Sequence, residues 1–159
     1  LPFLQQIVGA RKPFTIVPIL TSFSAASLLD AAVRQAVDQF LTGLRTVLSE
    51  TGRTYCVIAG AELAHLGMRY GDKAPPTDFS FHRSMQFDLE MLKPVEELKP
   101  DEFAAYIQKE QDQRRISGFS SIYSLLRLIQ AEKGQVLRYD RGITDQYNST
   151  VTYASMAFF

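Results

Sequence analysis

The run Tyr55-Cys56-Val57-Ile58-Ala59-Gly60-Ala61-Glu62-Leu63-Ala64-His65-Leu66-Gly67-Met68-Arg69-Tyr70-Gly71 passes from continuous apolar side chains to small, acidic, imidazole and guanidinium groups within a few residues. Tyr55 to Ile58 show no alternation, which suits a strand covered on both faces by helices. Glu62, His65 and Arg69 follow at i, i+3 and i+7, so a turn of helix sets all three on one side, beyond the strand end. In open α/β sheets ligands bind at that position. The expected site is therefore here, with Gly60, Glu62, His65 and Arg69 facing it.

Upstream, Phe14 to Leu20 is β-branched and apolar and reads as a second strand, with Pro18 marking an edge or an end. Leu28 to Leu48 carries a helical stripe through Leu29, Val33, Val37, Phe40, Leu41, Leu44 and Leu48. Glu50 to Arg53 then turns the chain into the Tyr55 strand. This strand, helix, strand unit is right-handed if its strands are parallel. At the start, Leu1 to Val8 forms a short helical face stopped by Gly9.

Downstream, the double proline Pro75-Pro76 makes Asp72 to Asp78 a loop. A helix spans Phe79 to Leu92 and ends at Pro94. Another begins at Pro100, where proline and then Asp101 and Glu102 suit a first turn. Glu110 to Arg115 is a polar connector, and Ser117 to Ser121 leads into the apolar helix Ile122 to Ala131. Val136 to Ile143 and Val151 to Phe159 read as final strands separated by the turn Thr144 to Asn148. The pattern predicts an α/β fold in a single domain over residues 1–159.

Lys+Arg and Asp+Glu both number 17, a formal net charge of zero. No overall field steers the chain toward nucleic acid or anionic membranes, so neither is an expected partner. The single cysteine, Cys56, excludes an internal disulfide and a multi-cysteine metal site, and fits a cytoplasmic protein with a buried structural thiol. No apolar run approaches the roughly 20 residues that cross a bilayer.

Glu62 and His65 are the candidates for chemistry, as metal donors or as an acid and base pair. The bland alternative is a capping carboxylate bonded to a structural histidine. His82 reads as a surface residue. The Ser117 to Ser121 turn lacks a nucleophile-elbow pattern, and helix capping accounts for its serines. Its free amides suit an anion, which Arg114 and Arg115 would help to hold.

In chain order, L-P-F-L at Leu1–Leu4, I-V-P-I-L at Ile16–Leu20, A-G-A-E-L-A-H-L-G-M-R-Y-G at Ala59–Gly71, I-S-G-F at Ile116–Phe119 and S-T-V-T-Y-A-S-M-A at Ser149–Ala157 resemble the Memo-like family. That family is also called AmmeMemoRadiSam system protein B. The resemblance implies a layered α/β/α fold with a mixed sheet, like the class III extradiol (LigB-type) dioxygenases. Relatives carry a further N-terminal half with two histidine motifs, so the chain, which opens without methionine, is expected to be the C-terminal part of such a fold.

His65 matches the family histidine, Glu62 stands where aspartate is usual, and Ser117 stands where many relatives have a thiolate ligand. A hydroxyl is a poorer soft-metal ligand than a thiolate. The resemblance therefore implies an incomplete metal site, with no cofactor expected and His65 the only candidate metal ligand. Gly60, Arg69, Ser117, Gly118 and Ser120 line the expected pocket. The leading expectation is a non-catalytic binding or structural domain. Its rival is a non-haem iron (or copper) oxidoreductase using His65 and Glu62, with its other ligands in the N-terminal segment. A sheet that continues in relatives also implies an exposed edge here, and a homo-oligomer or a protein partner to cover it.

Overall fold

The computed structural model describes residues 2–9 and 11–159, so Leu1, part of the expected first helix and of the L-P-F-L match, lies outside the described residues. Helices and strands occur together in an α/β arrangement. Its helices are α1 (Pro2–Leu4, continuing as a wider turn over Gln5–Gly9), α2 (Ala31–Glu50), α3 (Asp78–Glu96), α4 (Pro100–Lys109) and α5 (Phe119–Leu128). The strands are β1 (His65–Leu66), β2 (Gly134–Ile143) and β3 (Thr150–Phe158), in the order β1-β3-β2. Both pairings are antiparallel, where a mixed sheet was expected.

Local chemistry sets the helix boundaries. The Asp30 carboxylate accepts from the Ala32 and Val33 amides at 2.8 and 3.3 Å and starts α2. Thr77 and Ser80 cap α3 reciprocally, Ser80 N donating to Thr77 Oγ1 at 3.1 Å and Thr77 N to Ser80 Oγ at 2.8 Å. Contrary to the sequence reading, α3 runs through Pro94 to Glu96. A proline there removes one amide donor near the helix end, while the next residue, Val95, is fully buried. Leu98 then turns left-handed (φ 58°), and Lys99 N closes on Pro94 O at 2.8 Å.

The core lies where α3, α4 and α5 meet. Phe103, Ile107, Met91, Leu92 and Tyr123 are all buried. Phe119 stacks on Phe103 with centroids 5.4 Å apart and meets the edge of Phe23 at 5.9 Å. Every residue of α5 except Ser121 and Arg127 is buried, because its stripe faces these helices on one side and α2 on the other. In α2 only Leu41 is buried; Phe40, expected inward, faces solvent.

The largest departure from the sequence reading concerns the two anticipated parallel strands. Phe14 to Leu20 and Tyr55 to Gly60 form no ladder, and most of their apolar side chains are open: Val17 is 79 % exposed, Leu20 96 % and Ile58 60 %, while Val57 and Ala59 pack half-buried against the core. Cys56, expected to be buried, is exposed as well. A strand covered on both faces needs hydrogen-bonding neighbours, and no described strand pairs with either segment. The chain joins the sheet only at Leu63, whose amide donates to Thr152 O at 2.8 Å.

Candidate functional site

Residues 62–72 hold β1 and a 3-10 turn at Met68–Tyr70, and glycine sets the path between them. Gly67 has φ 108°, a region that side chains rarely occupy, and a Cβ there would lie 2.7 Å from Ser149 Oγ and 2.8 Å from its Cα. The chain therefore reverses after β1. Glu62 and His65 meet before this bend, His65 Nε2 lying 3.2 Å from Glu62 Oε2. Arg69 lies beyond it and points elsewhere, donating to Thr144 O at 2.8 Å in the β2–β3 turn. The i, i+3 contact holds, but Arg69 does not join the pair.

The imidazole is well seated, its side chain only 12 % exposed while that of Glu62 is 60 % exposed. Nδ1 faces two carbonyls, Arg115 O at 2.9 Å and Leu63 O at 3.1 Å. Carbonyls only accept, so Nδ1 is the donor in these contacts, and Nε2 turns to the carboxylate. Tyr70 packs edge-on against the ring at 4.8 Å.

Gly118 closes the other side. Its amide donates to Glu62 O at 2.9 Å, and a Cβ would stand 2.4 Å from that oxygen and 2.6 Å from Ala61 Cβ. Only glycine permits the approach that joins the start of α5 to the Glu62 segment. The remaining expected residues are dispersed. Ser117 and Gly60 are exposed. Ser120 is buried, and its Oγ lies 2.9 Å from Thr21 Oγ1, tying α5 to the segment before α2. His82 is exposed, its Nδ1 2.7 Å from Asp78 O.

Arg114 and Arg115 do not form the anticipated anion site. Arg115 donates to Asp72 Oδ1 at 2.8 Å and to His65 O at 3.1 Å, bracing β1 from outside. Arg114 is buried against Asp88 and takes both oxygens of Glu110, Nε–Oε2 3.0 Å and Nη2–Oε1 2.9 Å. Asp88, fully buried, also receives Tyr139 Oη at 2.7 Å and Thr152 Oγ1 at 2.6 Å. That Thr152 hydroxyl in turn accepts Ala64 N at 2.8 Å, so the network reaches the residue beside His65.

Burial pushes the Asp88 carboxyl above its usual range, opposed by the Arg114 guanidinium and the two hydroxyls. Burial also works against the charge of Arg114, but Glu110 and Asp88 more than offset it and its pKa rises. Burial and the neighbouring Asp88 carboxylate hold the Tyr139 phenol well above the ordinary value. Sequence reading missed this cluster, whose members come from α3, the connector after α4, β2 and β3.

The donor set available to a metal ion is His65 Nε2 with Glu62. Among the described residues no group of three or more His, Cys, Asp and Glu side chains is placed to hold one. Two donors fall short of the three or more protein ligands of a catalytic transition-metal site. The residues present do not by themselves fit the iron or copper of the dioxygenase-type reading.

An antiparallel sheet backed by helices carries, at the start of its shortest strand, a histidine and carboxylate pair in an α/β arrangement. The chain belongs to the Memo-like protein family, whose model matches residues 1–157. No curated protein matches it.

Proposed function

We propose that the chain is a Memo-like domain with an incomplete metal site that acts in binding or as a structural unit, covering its open strands by association. The observation that carries this reading is the pair of apolar segments, Phe14 to Leu20 and Tyr55 to Gly60, which join no ladder and expose Val17, Leu20 and Ile58. Exposed strand-forming segments are templates for pairing, and a formal net charge of zero puts no repulsion between copies. Association between copies is the occupant this reading commits to. Light scattering across a concentration series should show a dimer or larger species, and Leu20→Glu combined with Ile58→Lys should shift it to monomer. A monomer at every concentration would count against the reading.

One observation favours a second reading, a metal-dependent oxidoreductase completed by ligands from another segment. With Nδ1 anchored by carbonyls, Nε2 is presented toward an exposed carboxylate, the way metal-binding histidines are oriented. Elemental analysis of protein purified under native conditions separates the two. Stoichiometric iron or copper that disappears in His65→Ala supports the oxidoreductase, and metal-free protein supports the binding domain.

A further inference from the structure

A groove of about 620 Å³ runs between α3 and α4 toward the Arg114–Arg115 connector, sharing Arg115 with the surroundings of His65 but not Glu62 or His65 themselves. Its volume falls within the roughly 300–1,000 Å³ of small-molecule sites. Aromatic surface lines it: Phe79 at the mouth is 76 % exposed, with Phe87 and Tyr106 further in. Ser84 also lines it, 97 % buried by its 3 % exposure, and its hydroxyl has no hydrogen-bond partner. A buried hydroxyl left unpaired in a native fold calls for a partner.

The charges on the walls are not equivalent. All three carboxylates are engaged: Asp72 by Arg115, Glu110 by Arg114, and Glu90 by Tyr106 Oη at 3.2 Å. Two cations are not. Arg83 on α3 and Lys109 on α4 make no ion pair among the described residues. The Arg83 guanidinium is held over the Phe87 ring, 5.4 Å from its centroid, which fixes its position and leaves its donors unspent. Aromatic walls, free cations on facing helices and a dry hydroxyl below describe a flat acid, and the carboxylates on the same walls disfavour a polyanion.

We infer that this groove binds a small aromatic monocarboxylate, its ring against Phe79 and Phe87, its carboxylate held by Arg83 and Lys109, and the Ser84 hydroxyl donating from the floor. The test titrates the full chain with 2-naphthoate in a calorimeter, with 2-naphthylmethylamine and acetate as controls. Saturable one-to-one binding of 2-naphthoate is expected, with neither control saturating in the same range. Arg83→Ala and Lys109→Ala should each weaken it about tenfold, as loss of a charge-assisted contact does, and Ser84→Ala should weaken it by a smaller factor. Arg83 and Lys109 are exposed, so an unchanged far-UV circular dichroism spectrum verifies that those variants fold. No saturation at millimolar 2-naphthoate, equal binding of the amine, or wild-type affinity in any of the three variants overturns the assignment.

Discussion

Asp88→Ala tests whether the buried network beneath β1 holds the sheet to the helices. The substitution removes the acceptor of three donors that come from different elements: Arg114 after α4, Tyr139 on β2 and Thr152 on β3. Glu110 stays with Arg114, so the cation keeps one partner. Removing one member of a buried pair typically costs about 3–5 kcal/mol, because the other charge is left without compensation. The two hydroxyls lose their shared acceptor in addition, at about 1 kcal/mol or more each. The retained Glu110 contact acts in the opposite direction, and the expected loss is about 3–5 kcal/mol, a large share of the roughly 5–15 kcal/mol of an ordinary domain. Equilibrium urea denaturation followed by circular dichroism measures it. Asp88→Leu with Arg114→Met, which removes both charges, should cost less than Asp88→Ala alone. If Asp88→Ala falls within about 1 kcal/mol of wild type, or the double variant is the worse of the two, the reasoning is refuted.

Three further outcomes are expected. Gly118→Ala should lose about 1–3 kcal/mol and lower the melting temperature, since its methyl would overlap Glu62 O and the chain must shift to admit it; its His65 ring signals should move in the same sample. Gly67→Ala should be destabilised too, by its positive φ and by contact with Ser149, and Gly43→Ala, with nothing near its added Cβ, is the control that should not be. Burial and the Glu90 carboxylate push the Tyr106 phenol up to about 12 from its ordinary 10.0. Because the folded value is raised, that contribution is complete below the unfolded pKa and is lost as pH rises through the folded one. Wild-type stability should thus fall between about pH 10 and 12, and Tyr106→Phe should flatten that part of the profile; an identical alkaline slope in the variant would remove Tyr106 as a cause.

The legible parts of the fold were those written locally. Helix α5 is visible as an apolar run, α4 as Pro100 followed by acids, and the β2–β3 hairpin as two β-rich runs about a polar turn. Helix ends shifted by a few residues, since the burial of Val95 outweighs the breaking tendency of Pro94. Tyr55 to Gly60 and Phe14 to Leu20 carry strand composition, but a ladder depends on neighbours that no local pattern reports. The closeness of Glu62 and His65 followed from their spacing. The bend at Gly67, which follows both residues, is why Arg69 diverges. Asp88 was silent in the sequence because its partners lie 26, 51 and 64 residues further along the chain.

The two sides of the sheet differ in what they offer a newcomer. Along its outer margin β2 displays Arg138 and Asp140, paired to each other at 2.8 Å, and charges of this kind discourage a visiting strand. On the far side β1 accompanies β3 for only two residues, opposite Thr150 and Val151. Past Thr152, β3 continues to Phe158 with β2 on one side and no described strand on the side that β1 leaves. Growth of the sheet by backbone pairing is thereby directional, admitted beside the later half of β3 and resisted at β2.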